Sequence, residues 1–384
     1  MAKKSADAVI SYGESDKTLG KRVMDCLESL VYTDVASGQS DSISLSLANL
    51  DKEWMGNKMP KRGTDIAIKI VPKDWGDEAK PFTCGTFMID DISFSGRPLA
   101  CNLGGVSTPV NQDFKSEPVT KTWEKATLKD IASKIGKNAG VNVYYEGDAI
   151  QIKEIEQNNE TDSSFLYSLC DKYGMAMKVY NKKIVIFDPV KYEAKDPVRT
   201  LREKDMTKWS YNTTVEGTYT GVSLKWTDPD KDKIDVTMGK PGRMYSMNTQ
   251  ATSKYDAELQ AAAKVNEANR KIETMDVTVP GEFRITASQC VFIKGLGNAN
   301  GKYYIDSVKH SVSGSGYTMQ LSMHKVQTAI KVNETAEEKK AEQKKQSGGT
   351  NTKKEEPKTY SGCAQTYREN LRKPSKNLYF MDGS

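Results

Sequence analysis

The chain has 384 residues, 37% of them hydrophobic and 28% charged, with a net charge of +5 and a mean hydropathy of −0.64. That length allows two or three domains with real cores, and the small net charge argues against a partner recognised through a phosphate backbone. No apolar run approaches the roughly 20 residues of a membrane span, and no continuous apolar stretch follows the two lysines of the N-terminus, so a cytoplasmic protein is expected.

Residues 27–112 read as β structure. "SDSISLSLANL" puts Ile43, Leu45 and Leu47 on one face and Ser42, Ser44 and Ser46 on the other, and "DIAIKIV" repeats the alternation with Ile66, Ile68 and Ile70. "CGTFMIDDISFSGRPLACNLGGV" supplies two more runs about a Ser-Gly-Arg-Pro turn. Together they predict an antiparallel sheet, closed or nearly closed into a barrel. The preceding "KRVMDCLESLVYTD" fits helix and strand alike.

Two helix-to-strand units follow, from roughly 118 to 190. In the first, Leu128, Ile131, Ala132 and Ile135 form one helical stripe, Gly140 ends it, and Val141, Val143 and Tyr145 begin a strand. In the second, Phe165, Leu166, Leu169, Cys170 and Tyr173 recur at helical spacing, with Asp162 or Ser163 as the cap and Gly174 as the stop. Met175, Met177 and Val179 then alternate with small or polar residues, Asn181 to Lys183 make a turn, and Ile184 to Phe187 form a second strand. β structure returns from about 200 to 330: "TYTGVSLKWTD", "FRITASQCVFIKGL", "KYYIDSVKHSVSG" and "GYTMQLSMHKV" are strand candidates. Between the first two lies a helix in "KYDAELQAAAKVNEANRKIE", whose apolar side would be Leu259, Ala262, Ala263 and Ile272.

The predicted fold is therefore α+β and mainly β: 1–117 a first antiparallel β-barrel, 118–195 a small α+β insert, and 196–330 a second barrel with one helix. Beyond these, 331–359 is a charged linker, too poor in apolar side chains to offset backbone ordering. Residues 360–384 regain Tyr360, Tyr367, Leu371, Leu378, Tyr379 and Phe380, the pattern of a short peptide that docks on a partner. From residue 331 onward twelve Lys and Arg face eight Asp and Glu, so most of the net charge lies in this tail and the body is nearly neutral.

Chemistry-bearing patterns are few. "GLGNANG" (295–301) has the wrong spacing for a dinucleotide loop and a strand where a phosphate-binding helix should begin, so a hairpin turn is expected. "DPDKDKIDVTMG" starts like a calcium loop with Asp228, Asp230 and Asp232, but Lys233 and Gly239 stand where glycine and a bidentate glutamate are needed. The two histidines, His310 and His324, have no metal-ligand spacing around them. The six scattered cysteines (Cys26, Cys84, Cys101, Cys170, Cys290, Cys363) contain no C-x-x-C pair and read as reduced, mostly buried thiols. The adjacent Asp90 and Asp91 fall on opposite faces of a strand and cannot act as a pair. No catalytic, cofactor-binding or metal site is expected, and no enzyme.

In their order along 27–330, "LVYTDVASGQSDSISLSL", "FTCGTFMIDDISFSG", "WEKATLKDIASKIGKNAGVNVYY", "ETDSSFLYSLCDKYGMAMKVYNKKIVIFD" and "GKYYIDSVKHSVSGSGYTMQLSM" resemble the late-control D family of phage tail proteins. This family is the baseplate hub of contractile tails, found also in phage-tail-like bacteriocins. The resemblance implies two tail-tube-like barrels in one chain, assembled as a homotrimer that adapts a sixfold tail tube to a threefold spike. The implied partners are a second and third copy, the tail tube protein, the spike and other baseplate proteins, with no membrane and no specific nucleic acid. The implied location is the host cytoplasm during assembly and then the baseplate of the particle. As an alternative, 118–155 is similar in outline to lysin-motif domains, which would make the chain a peptidoglycan-binding module. A wall hydrolase would need a further domain, for which the residues after 330 are too few.

Overall fold

The computed structural model describes residues 5–13, 17–73, 80–107, 113–227, 233–281 and 285–332. The first part contains β1 (Ser5–Tyr12), α1 (Lys17–Asp25), β2 (Leu27–Val35), β3 (Ser42–Ala48), β4 (Asp65–Lys73), β5 (Phe82–Ser95) and β6 (Ala100–Val106). The insert contains α2 (Asp113–Ser116), β7 (Pro118–Thr127), α3 (Leu128–Asn138), β8 (Asn142–Glu146), β9 (Gln151–Thr161), α4 (Asp162–Lys172), β10 (Ala176–Tyr180), β11 (Lys183–Phe187) and α5 (Pro189–Glu193). The remainder is β12 (Arg199–Arg202), β13 (Lys208–Thr213), β14 (Gly221–Thr227), β15 (Lys233–Gly239), β16 (Met244–Met247), α6 (Lys254–Asn269), β17 (Glu273–Pro280), β18 (Cys290–Lys294), β19 (Gly301–Ser313) and β20 (Gly316–Lys325).

The molecule is mainly β, as predicted, and its two β-rich parts share one 12-stranded sheet. Strands β1-β4-β5-β6-β3-β2 form one half, and β12, β18, β19, β20, β17 and β13 form the other. The join is the antiparallel ladder of β2 with β19, from Ser307↔Val35 to Ser313↔Ser29. Strand β19 is long enough to serve two neighbours on one edge, pairing with β18 over Gly301–Tyr304 and with β2 beyond a bulge at Asp306. One continuous apolar core runs under both halves, from Ile10 through Leu45, Ile68 and Phe87 to Val277, Ile305 and Leu321. The alternating faces of β3 and β4 are those the sequence predicts, with Ile43, Leu45, Leu47, Ile66, Ile68 and Ile70 all buried. The ambiguous stretch before β2 is a helix and then a strand. Strand β1, whose buried face includes the small residue Ala6, gives too faint an alternation to be read beforehand.

Not all of the second part joins this sheet. Strands β14, β15 and β16 make a separate three-stranded sheet covered by α6, with its own core of Val222, Leu224, Val236, Ala257, Ala261 and Val265. The helix therefore buries Ala257, Ala261 and Val265 there, a different side from the one predicted. Ala263 and Leu259 face the insert, and Ile272 lies beyond the helix end at Asn269. Among the described residues of "FRITASQCVFIKGL", Cys290–Lys294 is the strand.

In the insert α3, α4, β8, β10 and β11 lie where the sequence predicts them, while the two-stranded sheet of β7 with β9 and the short α2 and α5 were not predicted. The cap of α4 is Thr161, not Asp162 or Ser163: its Oγ1 accepts from the Ser164 N–H at 3.2 Å. Tyr173 and Gly174 (φ +68°) end the helix. Asn181 and Lys182, both at positive φ, form the two-residue turn between β10 and β11, and Lys183 already belongs to β11. Strand β11 then pairs in parallel with β8. Met177, Val179, Ile184 and Ile186 point into the insert's own core with Leu128, Ile131, Leu166 and Leu169. The opposite face is not wet: Ala176, Val185 and Phe187 belong to the core of the large sheet. Consecutive apolar residues in β11 are the signature of a strand buried on both sides.

In that second buried face sits Lys178. Its Nζ lies 3.1 Å from Asp34 Oδ1, 2.9 Å from Asp41 Oδ1 and 2.6 Å from the Val35 carbonyl, with both aspartates fully buried. The carboxylates are further held by the Tyr32 hydroxyl (2.9 Å) and by the N–H groups of Val35 (3.1 Å) and Ala287 (3.0 Å). Thus β2, the loop after it, the insert and the segment before β18 meet at one ammonium.

This packing sets the expected stability of three variants. Gly→Ala inside a helix ordinarily stabilises by about 1 kcal/mol, but a methyl at Gly136 would lie 2.2 Å from Val143 Cγ2 and 3.1 Å from the Val141 carbonyl. Gly136→Ala should instead lower the urea unfolding free energy by about 1 to 3 kcal/mol, as overpacking does. Lys178→Ala leaves two buried carboxylates without their cation and should cost about 3 to 5 kcal/mol. Lys178→Met, which keeps the apolar stem, should be nearly as damaging; wild-type stability of that variant would show that packing, not charge, fixes the insert.

Candidate assembly interface

The groups that the sequence offers for chemistry end up isolated or occupied. "GLGNANG" is the turn of the β18–β19 hairpin, as expected. Asp228, Asp230 and Asp232 lie outside the described residues, while Lys233 and Gly239 begin and end β15. His310 is buried where β2 meets β19, stacked on Tyr32 and Phe82 at centroid distances of 5.4 and 5.1 Å, with Nδ1 2.8 Å from the Tyr317 hydroxyl. His324 is buried on β20, beside Asp306. Among the described residues no group of three or more His, Cys, Asp or Glu is placed to hold a metal.

The five described cysteines are free; four are buried and Cys26 is half-buried, while Cys363 lies outside the described residues. Burial raises the thiols of Cys84 and Cys170 and pushes those of Cys101 and Cys290 up to about 11, so none of these four is a thiolate nucleophile at neutral pH.

Asp90 and Asp91 need a correction. A bulge between Ile89 and Asp91 breaks the alternation of β5 that would have put them on opposite faces. A methyl at Gly104 would be 3.7 Å from Asp90 Oδ1 and 3.8 Å from Asp91 Oδ2, so both carboxylates border the same spot. Both residues are exposed, which leaves them hydrated acids beside a strand edge.

That edge is the feature of interest. The β4 ladder on β5 ends at Met88, so Asp91–Ser95 pair with β6 alone. Among the described residues β13, the last strand of the ten-strand path that begins at β1, pairs only with β17. Counted from β5, the third strand of that path, eight strands lead to it: β5, β6, β3, β2, β19, β20, β17 and β13. Two strand edges with unpaired N–H and C=O groups ordinarily recruit another strand or are blocked. Strand β13 carries Trp209, 42% exposed, directly opposite the buried Val277, so the core is uncovered at this end of the sheet. Phe292 is exposed on β18 as well. The short "KWSYNT" escaped the sequence reading, although Trp209 and Tyr211 alternating with polar residues were its signal. The predicted docking residues Tyr360, Tyr367, Leu371, Leu378, Tyr379 and Phe380 lie outside the described residues.

Comparison with known proteins points in one direction. A probable baseplate hub protein of Escherichia phage 186 is 25% identical over 223 residues, covering 56% of this chain and 55% of the relative, so the chain spans about half the length of the curated relative it matches. In fold, the chain is similar to the 43 kDa tail protein of prophage MuSo2 from Shewanella oneidensis (TM-score 0.64, 14% identity, covering 84% of this chain and 98% of that one). A component of the type VI secretion system of E. coli is similar as well (TM-score 0.52, 10% identity, 81% and 76% covered). The YQBQ-like family pattern matches residues 120–324, from the first strand of the insert almost to the end of β20. With more than half of its length in that match, and with the likeness to baseplate hub proteins that its ordered motifs carry, the chain belongs to the YQBQ-like family.

Proposed function

We propose that the chain is a structural baseplate hub of a contractile tail, a homotrimer that presents six tube-like β halves to a sixfold tail tube and three copies of itself to a threefold spike. One observation carries this reading: a single chain holds two six-stranded halves side by side in one sheet, and among the described residues the far half of β5 (Asp91–Ser95) and the last strand, β13, each pair on one side only. Three such chains, edge to edge, supply six halves, and closed cyclic symmetry satisfies both edges of every copy without leaving a template for aggregation. The exposed Trp209 would then be covered by a neighbouring copy.

In this reading the work is done by shape, without turnover. The partners are the tail tube protein, the spike and other baseplate proteins, and the chain is assembled in the host cytoplasm before it enters the particle. Residues 118–195 act as the spacer that braces both halves. The segment 360–384 docks on a neighbouring component through Tyr360, Tyr367, Leu371, Leu378, Tyr379 and Phe380, tethered by the charged 331–359.

Native mass spectrometry of the purified chain should give a trimer, and a trimer bound to its tail tube protein when the two are mixed. Ser93→Cys on β5 and Ser210→Cys on β13, treated together with a short bis-maleimide, should yield covalent trimers, whereas either substitution alone should not. A monomer that ignores the tube protein overturns the proposal, and adsorption to purified sacculi in its place would support the wall-binding alternative.

A further inference from the structure

Where the insert ends and the second half begins, a buried histidine is caught between two carboxylates. His324 on β20 has Nδ1 2.8 Å from Asp306 Oδ1, and its Nε2 is 3.4 Å from Oε1 of Glu193, the last residue of α5. At 3.4 Å, the second contact is an ion-pair approach, looser than a well-formed hydrogen bond. The same Glu193 oxygen accepts from Arg270 Nε at 2.7 Å, just past the end of α6. The bulge in β19 is what frees Asp306 from its ladder and lets it reach the ring.

The other polar neighbours are accounted for. Tyr304 stands directly opposite His324 on β19, and Cys290 stands opposite Tyr304 on β18. Burial raises both above their ordinary values, so they stay neutral through the physiological range. The partner of His324 on β17 is the neutral Thr274, and the adjoining Glu273 is engaged by Lys325 and the Tyr211 hydroxyl. Lys195 and Lys302 act on Cys290 and Asp306 is partly exposed to water, so at the buried Glu193 the cations in direct contact are Arg270 and, when protonated, His324.

We propose that His324 is a proton-operated latch: as the imidazolium it bridges Asp306 to Glu193 and clamps α5, the exit from the insert, together with the end of α6 onto the second β half. Losing the proton removes one of the two cations that hold Glu193. The exit segment 189–198 then loosens, while the 12-stranded sheet and the core of the insert remain folded. Burial by itself lowers the pKa of His324, but the hydrogen bond to Asp306 and the nearby negative charges of Asp306 and Glu193 outweigh it and raise the pKa above the ordinary 6.5. Burial likewise opposes ionisation of Glu193, yet His324 and Arg270 hold its pKa below the ordinary value. The signs follow by linkage: the His324 contribution is full below the unfolded-state pKa and is lost as pH rises through the raised folded value. The Glu193 contribution is present above its unfolded-state pKa and fails only on acidification.

The test uses hydrogen exchange by mass spectrometry on the full chain at pH 6 and pH 9, corrected for intrinsic exchange rates. Segment 189–198 should exchange about tenfold faster at pH 9, a change equivalent to about 1.4 kcal/mol, while peptides from β3 and β4 hold constant. In His324→Gln the segment should exchange fast at both values. Equal corrected exchange at the two pH values, or an unchanged pH response in His324→Gln, overturns the latch. Should that variant fail to fold, the wild-type protein still decides: it has only two histidines, and an imidazole C2–H titration of His324 at or below 6.5 would refute the proposal.

Discussion

One ammonium group decides where the insert sits. Lys178 projects from β10 into an interface otherwise made of Ala176, Val185 and Phe187, and finds there two fully buried carboxylates and a carbonyl that use all three of its protons. Such a group contributes little net stability, because removing three charges from water costs about as much as their attraction returns. Its effect is on specificity. A slip of β10 by one residue would turn Lys178 into the apolar core formed by Met177, Val179 and Ile184, where no acceptor awaits it. Only one docking of the insert satisfies the lysine, and that docking ties β2 and its following loop to the segment before β18.

The other bridges between parts repeat this logic with different chemistry. The Tyr173 hydroxyl at the end of α4 donates to the buried Asp256 of α6 at 2.9 Å, and Gly174 comes so close to Ala263 that a methyl there would stand 2.9 Å from its Cβ. Arg270 reaches back to Glu193 on α5. The insert is thereby held against the large sheet by charge and apolar burial, and against α6 by a hydrogen bond and a close helix approach. A spacer fixed on two sides transmits force between the halves better than one hinged at its termini.

Strand β19 makes the two halves one body. Its thirteen residues pair with β18 first and β2 later, and the bulge at the change of partner aims Asp306 at His324. Under this join Tyr32, Phe82, Phe87 and His310 pack as an aromatic cluster, with the imidazole bonded to Tyr317.

The sequence by itself determined the elements whose local signal is strong. Alternation fixed β3 and β4, since period-two burial appears directly in Ile43, Leu45, Leu47 and Ile66, Ile68, Ile70. Glycines at positive φ after Asn138 and Lys172 fixed the ends of α3 and α4, and Asn181 fixed a turn. The tertiary structure decided whatever depends on partners far along the chain. That β2 pairs with β19, nearly three hundred residues away, leaves no mark in either strand, because an antiparallel edge accepts any strand of matching faces. The same holds for the burial of Lys178, which reads locally as a solvated lysine until Asp34 and Asp41 are folded over it. It holds again for Asp90 and Asp91, set on one side by a bulge that the alternating pattern could not announce.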